Sequence, residues 1–202
     1  VPAPSADRTP VSVWIYTHQA AQLTALKKVH SAEEEAEIEQ LVRQGVTRRK
    51  ARLVLAGMRQ ERWPTLESVV ALAVEQHLAE PDLAGPWPKL TANEEQRLAR
   101  AGRWPGTSLG IPMVQRNYKL PNSLVTRLRT TAWRMSEEPL NLLHKRGLVD
   151  TSPHLDDDER ALRNELAAQL YPVPRIVREA LTRYGPTTSN EPQKASELSA
   201  YA

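Results

Sequence analysis

The same unit occurs twice in this 202-residue chain. Val13-Trp14-Ile15 runs into a helix start at Thr17, and Tyr118-Lys119-Leu120 runs into one at Pro121-Asn122. Ile15 and Leu120 lie 105 positions apart, as do Leu23 and Leu128, so this stretch aligns without a gap. Ser31-Ala32-Glu33-Glu34 and Ser136-Glu137-Glu138-Pro139 keep that offset. Further on, Trp63-Pro64 matches Tyr171-Pro172, and the stretch Ser68 to Val74 matches Arg175 to Leu181 at an offset of 107. A chain that carries its own symmetry mate can build inside one polypeptide what others build as a dimer.

The organisation follows from that repeat. Residues 1–9 read as a disordered lead, 10–79 as the first unit, 80–112 as a connector, 113–185 as the second unit and 186–202 as a disordered tail. In the first unit Val11, Val13 and Ile15 alternate with Ser12 and Trp14, the period of a half-buried strand. Thr17 is positioned to cap a helix carrying Ala20, Leu23 and Leu26. Ser31 and Glu34 form a capping box for a second helix, which Gly45 ends. Thr47 caps a third helix from about Arg48 to Gln60, and Thr65 with Ser68 starts a last one carrying Val69, Val70, Ala73 and Val74. The connector is rich in Pro and Gly, with one short helix announced by Thr91 and Glu94. In the second unit Tyr118 and Leu120 share one strand face, with Gln115, Asn117 and Lys119 on the other. Pro121 suits a first helical turn. Ser136 to Arg146 reads as the next helix, stopped by Gly147. Asp156 to Glu159 then opens another, and Arg175 to Tyr184 forms the last.

Composition removes several classes of function. The chain has no Cys, which excludes a disulfide framework, a thiolate nucleophile and a Cys-based zinc site. No apolar run approaches the roughly 18 residues of a membrane span, and Val1-Pro2-Ala3-Pro4-Ser5 lacks a signal-peptide core. A cytoplasmic protein without a membrane partner is expected. The histidines at 18, 30, 77, 144 and 154 show no metalloprotease spacing, and no phosphate-binding or nucleophile-elbow glycine motif is present. His154 beside Asp156, Asp157 and Asp158 can be drawn as a metal site, but acids at a helix start are explained by the helix dipole. The expectation is no enzyme, no cofactor and no metal. The net charge of +3 permits a nucleic-acid partner without requiring one, so local placement of charge decides.

Leu120-Pro121-Asn122-Ser123-Leu124-Val125-Thr126-Arg127-Leu128 resembles the strand-to-helix junction of ribbon-helix-helix DNA-binding proteins. Arg175-Ile176-Val177-Arg178-Glu179-Ala180-Leu181 resembles their second helix, and Val11 to Ile15 with Ser68 to Val74 is a weaker version of both. The resemblance implies two strands pairing antiparallel in the DNA major groove. It also implies a tandem, single-chain form, as in fused ribbon-helix-helix accessory proteins of plasmid conjugation. Independently of the name, a two-stranded ribbon fits the major groove and puts its outward side chains at base edges. Gln and Asn suit adenine and Lys suits guanine, so Gln115, Asn117 and Lys119 form an apt reading face. Ser12 and Trp14 are their counterparts on the first strand. Trp14 either meets a thymine methyl or is buried under the connector. Arg116 falls on the inward face, where it can snorkel to a phosphate.

The family also clamps phosphates at the start of its last helix, where Thr65-Leu66-Glu67 and Val173-Pro174-Arg175 stand here. Pro174 lacks an N–H and Glu67 repels phosphate, so the carry-over is imperfect at both; Thr65 and Arg175 are the candidate contacts, Arg175 the better of the two. The extra helical pair in each copy departs from the family. In the first copy it is charge-split, with Glu33, Glu34, Glu35, Glu37 and Glu39 followed by seven Lys or Arg residues between Arg43 and Arg62. Ile38 to Ala56 faintly resembles a helix-turn-helix, which makes Arg48, Arg49 and Arg52 candidate phosphate contacts; the alternative is the solvated face of an amphipathic helix.

The expected fold is mostly α with a short two-stranded antiparallel β-ribbon, a tandem ribbon-helix-helix pseudo-dimer with helical insertions. The expected function is sequence-specific binding of double-stranded DNA, as a plasmid transfer or partition accessory factor or a transcriptional regulator. The monomer acts as its own dimer, with higher assembly on DNA open. The alternative is a helical adaptor or antitoxin-like protein that binds a protein partner through the extra hairpins.

Overall fold

The alternating apolar residues do form strands, and the two strands find each other across the whole chain. In a computed structural model describing residues 7–100, 110–149 and 155–186, β1 (Arg8–Tyr16) pairs antiparallel with β2 (Met113–Pro121). The rest is mostly helical: α1 (Thr17–Arg43), α2 (Arg48–Ala56), α3 (Arg59–Arg62), α4 (Leu66–His77), α5 (Ala92–Arg100), α6 (Asn122–Lys145), α7 (Asp157–Gln169) and α8 (Val173–Tyr184). Residues 1–6 of the expected lead, the expected tail from residue 187 onward, part of the connector and His154 lie outside the described residues. β1 begins at Arg8, inside the segment expected to be a disordered lead. Thr9 anchors it there by donating its hydroxyl to Asn122 Oδ1 at 2.6 Å.

The ladder has a simple centre. Ser12 lies opposite Asn117, with Val11 opposite Tyr118 and Val13 opposite Arg116. The offset of 105 that relates the two sequence units maps Ser12 onto Asn117, its own ladder partner. Val13, Ile15, Tyr118 and Leu120 are buried against α4, α8 and the first turns of α1 and α6. The packing is crossed: α4 lies on β2, α8 lies on β1, and α4 packs along α8. Val70, Ala73 and Val74 meet Ile176, Val177, Ala180 and Leu181 in this core. At the end of the α4–α8 seam sits a polar group. The buried His77 contacts Glu80 Oε1 through Nδ1 at 2.9 Å and the Tyr171 hydroxyl through Nε2 at 3.0 Å. Tyr171 donates to Glu179, and Glu80 also accepts from Arg183 and from the Tyr184 hydroxyl.

Two arms leave this centre, each with a small core of its own. Ile38, Ala51, Leu55 and Trp63 pack where α2 folds back on α1. Trp133, Leu140, Leu143, Leu148, Leu166 and Leu170 pack where α7 folds back on α6, with Leu90 of the connector added. Both long helices stop in the same way. Gly45 and Gly147 have φ of 87° and 68°, a conformation open to glycine at little steric cost. The Val46 N–H reaches the Leu41 carbonyl at 3.1 Å, and the Leu148 N–H reaches that of Leu143 at 2.8 Å. This is the six-to-one bond of a Schellman end, with its apolar pair inside each arm core.

Four local expectations are corrected. α1 runs through Ser31 and α6 through Ser136, so neither serine starts a helix. No Gly or Pro interrupts α1, and Ser136 is buried with its Oγ accepting the Tyr171 N–H at 2.8 Å. α6 even contains Pro139, whose missing N–H costs one ladder bond while neighbouring Leu140 and Leu143 are buried in the arm core. Thr17 is the first residue of α1 rather than its cap; its N–H and hydroxyl both bond the Pro112 carbonyl at 3.1 Å. Pro121 ends β2 and stands at the N-cap of α6 rather than within its first turn. The expected helix over Arg48 to Gln60 is divided at Gly57-Met58 into α2 and α3.

Candidate nucleic-acid interface

Strand parity sets which side chains the ribbon offers. With the odd residues of β1 and the even residues of β2 turned toward the helices, the opposite face carries Pro10, Ser12, Trp14, Gln115, Asn117 and Lys119, all exposed. Trp14 is 50% exposed, so it is not buried under the connector. Its backbone is fixed from behind: Arg178 Nη1 donates to the Trp14 carbonyl at 2.9 Å, with its guanidinium 5.5 Å from the Tyr16 ring centre. The buried Gln19 completes this clamp. Its Nε2 donates to the Arg178 carbonyl at 2.8 Å and to Thr182 Oγ1 at 3.0 Å, and its Oε1 accepts the Tyr16 N–H at 3.1 Å. Sequence reasoning missed Gln19; its only signal was a polar residue at the head of the apolar stripe that continues through Ala20 and Leu23.

On the outward face the five reading candidates divide. Gln115 Nε2 donates to Ser12 Oγ at 2.6 Å, a diagonal bond between strands. Asn117 and Lys119 have no recorded partner among the described residues. The two strands together carry Arg8, Arg116 and Lys119 and not one carboxylate. Arg116 stands on the inward parity opposite Val13 yet is exposed. Burial pushes the Tyr118 hydroxyl pKa up, and the Arg116 charge opposes that rise.

The phosphate-contact candidates fare differently. Thr65 caps α4, its Oγ1 accepting the Ser68 N–H at 3.2 Å, while the Leu66 and Glu67 N–H groups precede the helical ladder. The α8 start is poorer: Pro174 has no N–H, and the Arg175 N–H bonds the Pro172 carbonyl at 2.8 Å. The Arg175 side chain is engaged internally. Its Nε donates to Glu179 at 2.9 Å and its Nη1 to the Ala168 and Leu170 carbonyls, each at 2.9 Å, and it lies over the Tyr171 ring. In the first arm, Arg48 pairs with Glu35 and Glu39, Arg59 with Glu34 at 3.1 Å and Arg62 with Glu37 at 2.6 Å. Part of the charge split in the sequence is therefore a zipper between α1 and the α2–α3 segment, made by three of its seven cations. Arg49, Lys50 and Arg52 lie outside it, exposed and without a recorded partner among the described residues.

Comparison with protein-family models, with curated proteins and with solved structures finds no match. No helix among the described residues is long and apolar enough to cross a membrane. Nor do the described residues hold a group of three or more His, Asp or Glu placed for a metal ion.

Proposed function

We propose that this protein binds duplex DNA sequence-specifically, laying the β1–β2 ribbon in the major groove with Ser12, Trp14, Gln115, Asn117 and Lys119 toward the base edges. On this reading the chain is a single-chain pseudo-dimer of the ribbon-helix-helix kind, a binding protein rather than an enzyme. One observation carries it: an acid-free ribbon nine residues long on each strand, its inner face burying Val13, Ile15, Tyr118 and Leu120 and its outer face lined by exposed amide, hydroxyl, indole and ammonium groups. Such strands span roughly 30 Å, and a two-stranded ribbon fits a groove about 12 Å wide. Thr65, the Leu66 and Glu67 N–H groups, Arg8 and Arg116 would hold the phosphates. The function fits a cytoplasmic accessory factor of plasmid transfer or partition, or a transcriptional regulator.

The test is selection of duplexes from a random pool, followed by titration of the selected and a scrambled duplex across salt concentrations. The selected duplex should bind more tightly, and log K should fall linearly with log salt at about 0.9 per phosphate contacted. Equal affinity for both duplexes would sink the proposal. A second reading, an adaptor that binds a protein, rests on α2, where Leu53 and Val54 stand exposed beside Arg49, Lys50 and Arg52. Binding that survives high salt and is lost on Leu53→Asp would favour it.

A further inference from the structure

The outward face of the ribbon is not the same at its two ends. At one end Trp14 lies directly opposite Gln115; at the other Pro10 lies opposite Lys119. The sequence offset of 105 makes Lys119 the counterpart of Trp14 and Gln115 the counterpart of Pro10, so equivalent positions carry unlike chemistry.

The Gln115 amide is oriented. One Nε2 hydrogen is held by Ser12 Oγ at 2.6 Å, which leaves Oε1 as acceptor and one Nε2 hydrogen as donor. That pair matches the major-groove edge of adenine, which offers the N6 amino donor and the N7 acceptor. Guanine offers acceptors at both O6 and N7, so the same orientation sets Oε1 against O6. Across the ladder, side chains at directly opposed positions have Cβ atoms about 5 Å apart. Trp14 thus holds a half-exposed indole beside the Gln115 amide on the same face. The apolar group a thymine presents in the major groove is its C5 methyl.

Building on the DNA-binding reading above, we propose that Trp14 and Gln115 act together as an A·T-specific reader, the amide on adenine N6 and N7 and the indole against the thymine methyl. Lys119 at the other end offers only cationic donors, which suit guanine N7 and O6. The recognised site is therefore non-palindromic, A·T at the Trp14 end and G·C at the Lys119 end, with Ser12 and Asn117 over its centre.

The experiment uses the full chain and the selected duplex, labelled for anisotropy. Each thymine is replaced in turn by deoxyuridine, which removes only the C5 methyl, and each adenine by 7-deazadeoxyadenosine, which removes only the N7 acceptor. At one end of the site deoxyuridine should weaken binding about fourfold, the worth of one buried methyl-sized group. At the same end the deaza base should weaken it roughly 5- to 10-fold. Trp14→Ala should bind the thymine and deoxyuridine duplexes equally, and Ser12→Ala, which frees the amide, should narrow the preference for adenine over guanine there. Far-ultraviolet circular dichroism establishes that both variants fold. If no thymine responds, or if Trp14→Ala keeps the full response, this inference is overturned while selective, salt-dependent binding by the parent leaves the DNA-binding reading standing. If the parent does not distinguish selected from scrambled duplex, both fall.

Discussion

Asn117 and Arg175 look equally suited to DNA in the sequence, and their surroundings separate them. Asn117 sits at the centre of the ladder with an amide that has no recorded partner among the described residues, while the Ser12 hydroxyl opposite it accepts from Gln115. Asn117→Ala should cost about 1–3 kcal/mol at the selected site and relax preference at one base pair. Its folding should match the parent, since the position is exposed. Parent-like affinity in a folded Asn117→Ala would remove the ribbon as the reading surface. Arg175 is instead a strut between the end of α7, Glu179 and the Tyr171 ring. Arg175→Ala should lower unfolding stability by roughly 1 kcal/mol in a denaturant titration and leave the salt slope of DNA binding nearly unchanged. Strand parity made the outward face legible in the sequence, because alternation alone fixes which residues share a side. The role of Arg175 was not legible, since the Ala168 and Leu170 carbonyls reach it only through the turn between α7 and α8. The lock of Gln115 on Ser12 was equally hidden, because it depends on ladder register.

The α4–α8 seam shows what the pairing of elements adds to each one. The equivalents His77 and Tyr184 face each other there with ring centres 6.4 Å apart, and Glu80 binds both. The hydrogen bond from His77 is the main cause that holds the Glu80 carboxyl down at about 2 against an ordinary 4.5, with Arg183 and Tyr184 adding to it. A carboxyl lowered on folding contributes stability that is present above its unfolded value and is lost as pH falls through its folded one. Thermal stability should therefore hold above about pH 4.5 and decline toward pH 2. Glu94, lowered to about 2 first by the Thr91 backbone N–H and then by Arg134, acts in the same window. Glu80→Gln should melt lower at neutral pH and show a shallower acid decline than the parent. Parallel melting curves against pH would refute a role for this carboxylate. At this scale the sequence located strands, caps at Thr47, Thr65 and Thr91, the acidic helix start at Asp156 to Glu159, and glycine stops, all of which rest on short-range chemistry. It misjudged Ser31 and Ser136 because a capping pattern and a mid-helix serine are spelled alike, and only burial against Tyr171 distinguishes the second.

For the molecule as a whole, the crossed packing makes each half depend on the other. α4 covers β2 and α8 covers β1, so Val13 and Ile15 share one core with Leu120, Ile176 and Val177. A lone half would hold an unpaired strand with an open edge, which is marginal in water and prone to associate. The repeat suggests that each half could pair with itself, but the bonds between them argue for the mixed pair. Gln19 reaches Arg178 and Thr182, and Glu80 reaches Arg183 and Tyr184, and these donors and acceptors do not recur at equivalent positions. In a first-half homodimer, Val177 and Tyr184 would be replaced by Val70 and His77, setting two histidines and two Glu80 carboxylates at one seam. Residues 7–100 and 110–186, produced separately, should therefore lack a cooperative melt, keeping at most the helicity of their arms. Mixed at equal concentrations, they should assemble one to one and recover both a cooperative melt and selective DNA binding. Their midpoint should rise with concentration, whereas the parent's should not, because the connector supplies a fixed effective concentration. Sedimentation of the mixture would decide the matter. Stable homodimers that do not exchange on mixing would show that the two units are alternatives rather than halves of one reading head.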